Sequence, residues 1–210
     1  MLLRKFCGIE KTDNGYLIHG DAGDIKLVFM TDDIIRIRVS FDRKFKEASY
    51  ALVTTAWEDE LDELFQEERT RIQAKDVVCE EKEDALIFHT TALKLVMKKQ
   101  PIQFLLYDAE GKLIYNDLKE RAFDQDQLGR VTHYSEIHAD TDHFYGFGEK
   151  TGHLDKKGRQ FENVTEGCHW GRSGIWGAVV QTCSILIFVS NEENLHALGL
   201  FYNNSYDAVF

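Results

Sequence analysis

Apolar and polar side chains alternate with a period of two through Asp24 to Met30 (DIKLVFM), Ile34 to Ser40 (IIRIRVS) and Leu93 to Met97 (LKLVM). Successive side chains of a strand point to opposite faces, so such runs predict strands with one face buried and one wet. Pro101 to Tyr107, the turn Asp108 to Gly111 and Lys112 to Tyr115 read as strand, glycine-closed turn and strand, which predicts a β-hairpin. Further strands are predicted at Ala85 to Thr90, Arg130 to Ile137, Ser184 to Val189 and Leu198 to Tyr202. The exception is Ala56 to Arg69, where Trp57, Leu61, Leu64 and Phe65 recur at helical spacing among acids. That pattern predicts a short helix near residues 57–66 whose acids form a solvated face. No repeat and no Pro-, Gly- or Ser-rich linker divides the chain. The expected class is all-β, an antiparallel β-sandwich formed as one domain over residues 1–210.

The 210 residues, 43% of them apolar, suffice for a core that buries about 70% of the unfolded chain's surface. With 25 basic against 36 acidic side chains the net charge is −11, and basic residues cluster only in pairs such as Lys98-Lys99 and Lys156-Lys157. Nucleic acid and anionic membrane are therefore not expected as partners. No apolar run approaches the ~18 residues of a membrane span, and the opening MLLRKFCGIEKTDNG lacks the apolar stretch of a signal peptide, so a cytoplasmic location is expected. The cysteines at 7, 79, 168 and 183 form no C-x-x-C pair and read as idle thiols.

Several segments carry chemically capable residues without the spacing that chemistry needs. His133, His138, His143 and His153, near Asp140, Asp142 and Asp155, offer zinc ligands but match no metal-binding pattern, so no metal is expected. Phe144 to Gly152 (FYGFGEKTG) is rich in glycine, but its G-x-G-x-x-x-G spacing lacks the Lys-Ser/Thr of a phosphate loop. It predicts a bend rather than a nucleotide site, and no cofactor is expected. No G-x-S-x-G elbow or cysteine-nucleophile signature occurs, and no carboxylate pair stands out among the acids.

Taken together, three segments resemble the N-terminal region of glycoside hydrolase family 31, the α-glucosidase and α-xylosidase family. Phe144 to Arg159 (FYGFGEKTGHLDKKGR) resembles the family's F-Y-G-x-G-E-x-x-G…D-x-x-G-R segment, with Tyr145, Gly146, Gly148, Glu149, Gly152, Asp155, Gly158 and Arg159 at its fixed positions. Gly199 to Tyr206 (GLFYNNSY) is similar to the family's G-x-F-x-x-N-S/T-Y turn, with Asn204 as its asparagine. Ser49 to Val53, Ala56-Trp57 and Glu67 to Thr70 resemble the bacterial members.

The resemblance implies a galactose-mutarotase-like β-sandwich that packs against a (β/α)8 barrel. In the family the barrel carries the aspartate nucleophile and aspartate acid/base of a retaining mechanism, whose carboxyl groups sit ~5–5.5 Å apart. This sequence has no W-x-D-M type segment and no alternating strand and helix pattern, so no catalytic residue is assigned. The implied partner is an α-glucoside oligosaccharide, reached through that barrel. A sandwich loop bearing an N-T-D-A type segment lines the family's sugar site. Its counterpart here is Glu162 to Glu166, with Asn163 and Thr165 in register and Glu166 in place of the aspartate. The chain ends at Phe210 inside what resembles a strand, which implies that the last strands of the sandwich are missing and that an unpaired edge is open to self-association.

From Gly167 to Cys183 the family pattern of D-A…D-P…P-L-Y-K is lost, and Pro101 is the only proline where average usage gives about ten. A back-translation of this stretch read one base later gives DAIGVDPESGEPLYKHAP, which restores the pattern and three prolines. The reading that follows is a compensated frameshift across residues 167–184; ordinary divergence is the alternative. A different functional class is also open, a free-standing carbohydrate-binding sandwich with Tyr202, Tyr206, Trp170 and Trp176 as sugar platforms.

Overall fold

The computed structural model describes residues 1–49, 51–65, 70–136, 142–147, 152–163, 184–191, 196–203 and 208–210. The chain falls into two compact units: Met1–Ala48 with Val53–Glu136, and Ser49–Leu52 with Ile137–Phe210.

In the first unit β1 (Phe6–Thr12), β2 (Gly15–Gly20), β3 (Asp24–Phe29) and β4 (Ile35–Ser40) form an antiparallel sheet in chain order. Its pairing aligns apolar positions into rows, Tyr16 with Leu27 and Ile37, and Ile18 with Ile25 and Val39. Next come β5 (Thr54–Thr55), α1 (Glu60–Phe65) and β6 (Thr70–Arg71), then β7 (Cys79–Glu81), β8 (Ala85–His89), β9 (Leu93–Lys99), β10 (Ile102–Asp108) and β11 (Leu113–Asn116). The last five form a second antiparallel sheet, ordered β11-β10-β9-β8-β7. Across it, Phe104 lines up with Met97 and Leu86, and Leu106 with Leu95 and Phe88. The apolar rows of the two sheets meet in one core, which makes this unit an all-β, antiparallel sandwich.

The predicted hairpin forms at β10 and β11, with Gly111 in the left-handed region (φ 83°) and its amide donating to the Asp108 carbonyl (3.1 Å). The short helix also forms. Asp59 caps it by accepting from the Leu61 amide (2.9 Å), and Asp62 accepts from the Asp59 amide (3.2 Å), a reciprocal box that satisfies amides the helix leaves open. Trp57 and Leu61 are buried, whereas Leu64 is 69% exposed, so the predicted stripe is only partly used.

The structure differs from the sequence reading in several places. β1 and β2 were not anticipated, because burial along β1 does not alternate cleanly and Cys7 lies in an irregular step of its register. The local signal that marks them is the two-residue turn Asp13-Asn14, closed by Gly15 opposite Thr12. Any Cβ on Gly15 would overlap the Leu27 carbonyl oxygen. The strand predicted for residues 130–137 contracts to β13 (Val131–His133), paired with β12 (Phe123–Gln125). Beyond it the Tyr134 amide turns to the Ala122 carbonyl (2.8 Å), and Ser135 makes only an isolated bridge to Asp117. Finally, β5 and β6 pair in parallel, a two-residue exception to the antiparallel rule.

The second unit contains β14 (Asp142–Gly146), β15 (Glu162–Asn163), β16 (Ser184–Asn191), β17 (His196–Asn203) and β18 (Ala208–Val209). Among its described residues, β16 lies between β14 and β17, and β15 pairs with β18, all antiparallel. β16 and β17 are the strands predicted for residues 184–189 and 198–202, each somewhat longer. β14 replaces the first part of the predicted glycine-rich bend.

Candidate functional site

The motif from Phe144 to Arg159 begins on β14, so its first residues are fixed by backbone pairing with β16, Phe144 in register with Val189 and Tyr145 with Phe188. The strand ends where Gly146 (φ 98°) and Phe147 (φ 67°) both take left-handed backbone, which turns the chain inward. Phe147 becomes the buried centre of a small apolar cluster with Phe144, Phe161, Leu200, Tyr202 and Phe210. Its ring lies 5.2 Å from that of Phe161 and 6.2 Å from that of Phe210. Tyr202, named above as a candidate sugar platform, packs edge-on against Phe210 within this cluster (5.2 Å).

Asp155 ties the returning segment to β14. One carboxylate oxygen accepts from the amides of Phe144 (3.1 Å) and Lys157 (3.0 Å), and the other meets His143 Nδ1 (2.7 Å). The Lys156 amide adds a bond to the Phe144 carbonyl (2.7 Å). The His143 hydrogen bond, followed by those from the Lys157 and Phe144 amides, holds the Asp155 carboxyl down at about 2. Gly152 (φ 103°) approaches Arg159 so closely that a Cβ would stand 2.8 Å from the guanidinium, and Gly158 (φ 72°) turns the chain before it. Of the motif residues, Asp155 is thus fastened to β14 and Gly152 lies beside Arg159, while Tyr145 and Gly146 are placed by the β14–β16 ladder. Gly148, Glu149 and Asn204 lie outside the described residues.

A pH prediction follows from Asp155. Its folded pKa is depressed, so its stabilising contribution is complete above the ordinary carboxylate value and is lost as pH falls through about 2. Amide exchange of Phe144 and Lys157 is expected to lose protection across that acid range. In Asp155→Asn the protection is already reduced at neutral pH and the acid step is gone; an unchanged acid step in this variant would refute the assignment.

The proposed sugar-facing residues are placed only in part. Asn163 pairs with Ala208 through the β15–β18 ladder, which fixes its backbone. Thr165 and Glu166 lie outside the described residues, as do the stretch 167–183 with Trp170, Trp176, Cys168 and Cys183, and also Tyr206.

Two of the four histidines considered as metal ligands are engaged with carboxylates. His143 meets Asp155, and His133 Nε2 lies 2.8 Å from Asp117. His138 and Asp140 lie outside the described residues, and among those described no group of three or more His, Cys, Asp or Glu side chains is placed to hold a metal. Cys7 and Cys79 are free thiols, and burial, reinforced by Glu81, pushes the Cys79 thiol up and away from the reactive thiolate. No described helix is long and apolar enough to cross a membrane.

Two sheets closed on one apolar core, with the glycine-and-aspartate element built as above, define a β-sandwich of the mutarotase-like class. The chain belongs to the family described as "Glycosyl hydrolase 31 N-terminal galactose mutarotase-like domain", matched over residues 24–210. It is 27% identical over 201 residues to "Alpha-glucosidase 2" of Bacillus thermoamyloliquefaciens, an alignment covering 95% of this chain and 23% of that protein. Among solved structures, a family 31 dextranase of Flavobacterium johnsoniae complexed with isomaltotriose superimposes with a TM-score of 0.73 at 20% identity, over 100% of this chain and 23% of that one. A family 31 α-xylosidase from Xanthomonas citri gives 0.58 at 16% identity, over 86% and 18%. The chain therefore spans about a quarter or less of the length of these relatives.

Proposed function

We propose that this chain is the N-terminal sandwich of an α-glucosidase-like glycoside hydrolase. In this reading it supports a catalytic barrel and lends the loop around Asn163, Thr165 and Glu166 to a sugar site, with the hydrolytic carboxylates outside the chain. The observation that carries the reading is the use of the family motif. Its aspartate is spent on hydrogen bonds to β14 and its Gly152 lies against Arg159, which suits a supporting role. The α-glucosidase and dextranase relatives, the latter complexed with isomaltotriose, support an α-glucoside oligosaccharide as substrate.

The purified chain is expected to show no turnover of an aryl α-glucoside and no heat of binding with maltose or isomaltose. Measurable hydrolysis would overturn the supporting role. Binding in the low millimolar range without hydrolysis would instead favour a carbohydrate-binding sandwich.

A further inference from the structure

The polar face of the first sheet holds a concentration of positive charge unusual for this acidic chain. Lys26 on β3 stands opposite Arg38 on β4, with Arg36 two residues along β4 on the same face. All three converge on Glu47: Lys26 Nζ lies 2.7 Å from one carboxylate oxygen, and Arg36 and Arg38 lie 3.1 and 3.0 Å from the other. These side chains are no more than 24% exposed, so solvent screens the attraction only partly. Burial, and next the neighbouring charge of Arg38, draws the Arg36 pKa down to about 10, while Glu47 opposes that shift.

The chain leaves the first unit after Ala48, contributes Ser49–Leu52 to the second, and returns at Val53. Both ends of this excursion are fastened at the same point. The Trp57 indole N–H donates to the Glu47 carbonyl (3.3 Å), and the Arg36 guanidinium sits 3.4 Å from the Trp57 ring centroid while also binding the Glu47 carboxylate. On the excursion itself, Ser49 is 2% exposed and its hydroxyl accepts from the Asn203 side-chain amide on β17 (2.9 Å).

We infer that Glu47, Arg36 and Trp57 form a clip that closes the base of the excursion and thereby pre-orders Ser49–Leu52 for its packing in the second unit. Fixing both ends of a short loop removes much of its conformational freedom, so less order must be paid for at its tip. Opening the clip then weakens Ser49 and its bond to Asn203 without touching either residue. The device is a conformational coupling built from one carboxylate, and it is independent of the proposed hydrolase role.

Residue-resolved amide exchange on the whole chain tests it. In Glu47→Gln the three cations lose their countercharge. Exchange at Ser49, Ala51, Leu52 and Asn203 is expected to accelerate about tenfold, while Ile25, Leu27, Leu95 and Met97 keep their wild-type protection. A purely local role would confine the change to residues 44–48 and 57, and that result would overturn the inference. Should Glu47→Gln fail to fold, Trp57→Phe removes the indole N–H that holds the Glu47 carbonyl and keeps an aromatic ring beside Arg36. It is expected to shift the same four amides about threefold, and unchanged rates there would equally overturn the inference.

Discussion

Phe88→Ala is expected to destabilise the first unit by about 3–5 kcal/mol, a large part of the stability of an ordinary domain. Phe88 lies on β8 with no exposed surface, and its ring meets those of Tyr16 (5.2 Å) and Phe29 (5.5 Å) on the facing sheet. Truncation removes the transfer energy of the ring and leaves a cavity between two ladders that cannot close without breaking their register. Urea unfolding followed by circular dichroism should show the midpoint falling with little change in slope. Leu64→Ala, on the exposed side of α1, is the matched control and should stay within about 0.5 kcal/mol of wild type. A loss of less than about 1 kcal/mol in Phe88→Ala would mean that the two sheets do not share this core.

Asp117→Ala is expected to cost about 2–4 kcal/mol, by leaving a buried amide and its neighbouring donors without an acceptor. The Asp117 side chain is 1% exposed. One oxygen accepts from the Phe104 amide (2.9 Å), and the other meets the Tyr115 hydroxyl (2.7 Å) and His133 Nε2 (2.8 Å). Removing it strips a buried amide of its acceptor and parts the β10–β11 end from the β12–β13 hairpin, where His133 stacks on Phe123 at 4.8 Å. Asp117→Asn keeps an acceptor oxygen but no charge, and should fall between wild type and the alanine variant. Equal stability of all three proteins would show that this carboxylate is not a structural centre.

The predicted strands were legible because each carries its own alternation, and the helix because Trp57, Leu61, Leu64 and Phe65 recur at helical spacing among acids. The family motif was legible too, as spacing. Its meaning was not: nothing local indicates that Gly152 makes room for Arg159, or that Asp155 holds the Phe144 amide. The histidines show the same limit. Their residue type suggested metal ligands, while their pairing with Asp117 and Asp155 depends on separations of 16 and 12 residues that only the folded chain closes.

What the sequence determined by itself is therefore the all-β class, the placement of nine of the eighteen described strands and the family, since periodicity, turn residues and motif spacing are properties of neighbouring residues. The tertiary structure alone decided the parallel pairing of β5 with β6, the burial of Trp57 beside Arg36, and the convergence of Lys26, Arg36 and Arg38 on Glu47. The physical reason is reach. A charge takes whichever partner long-range register brings within a few ångströms, and that register is set by the packing of whole sheets.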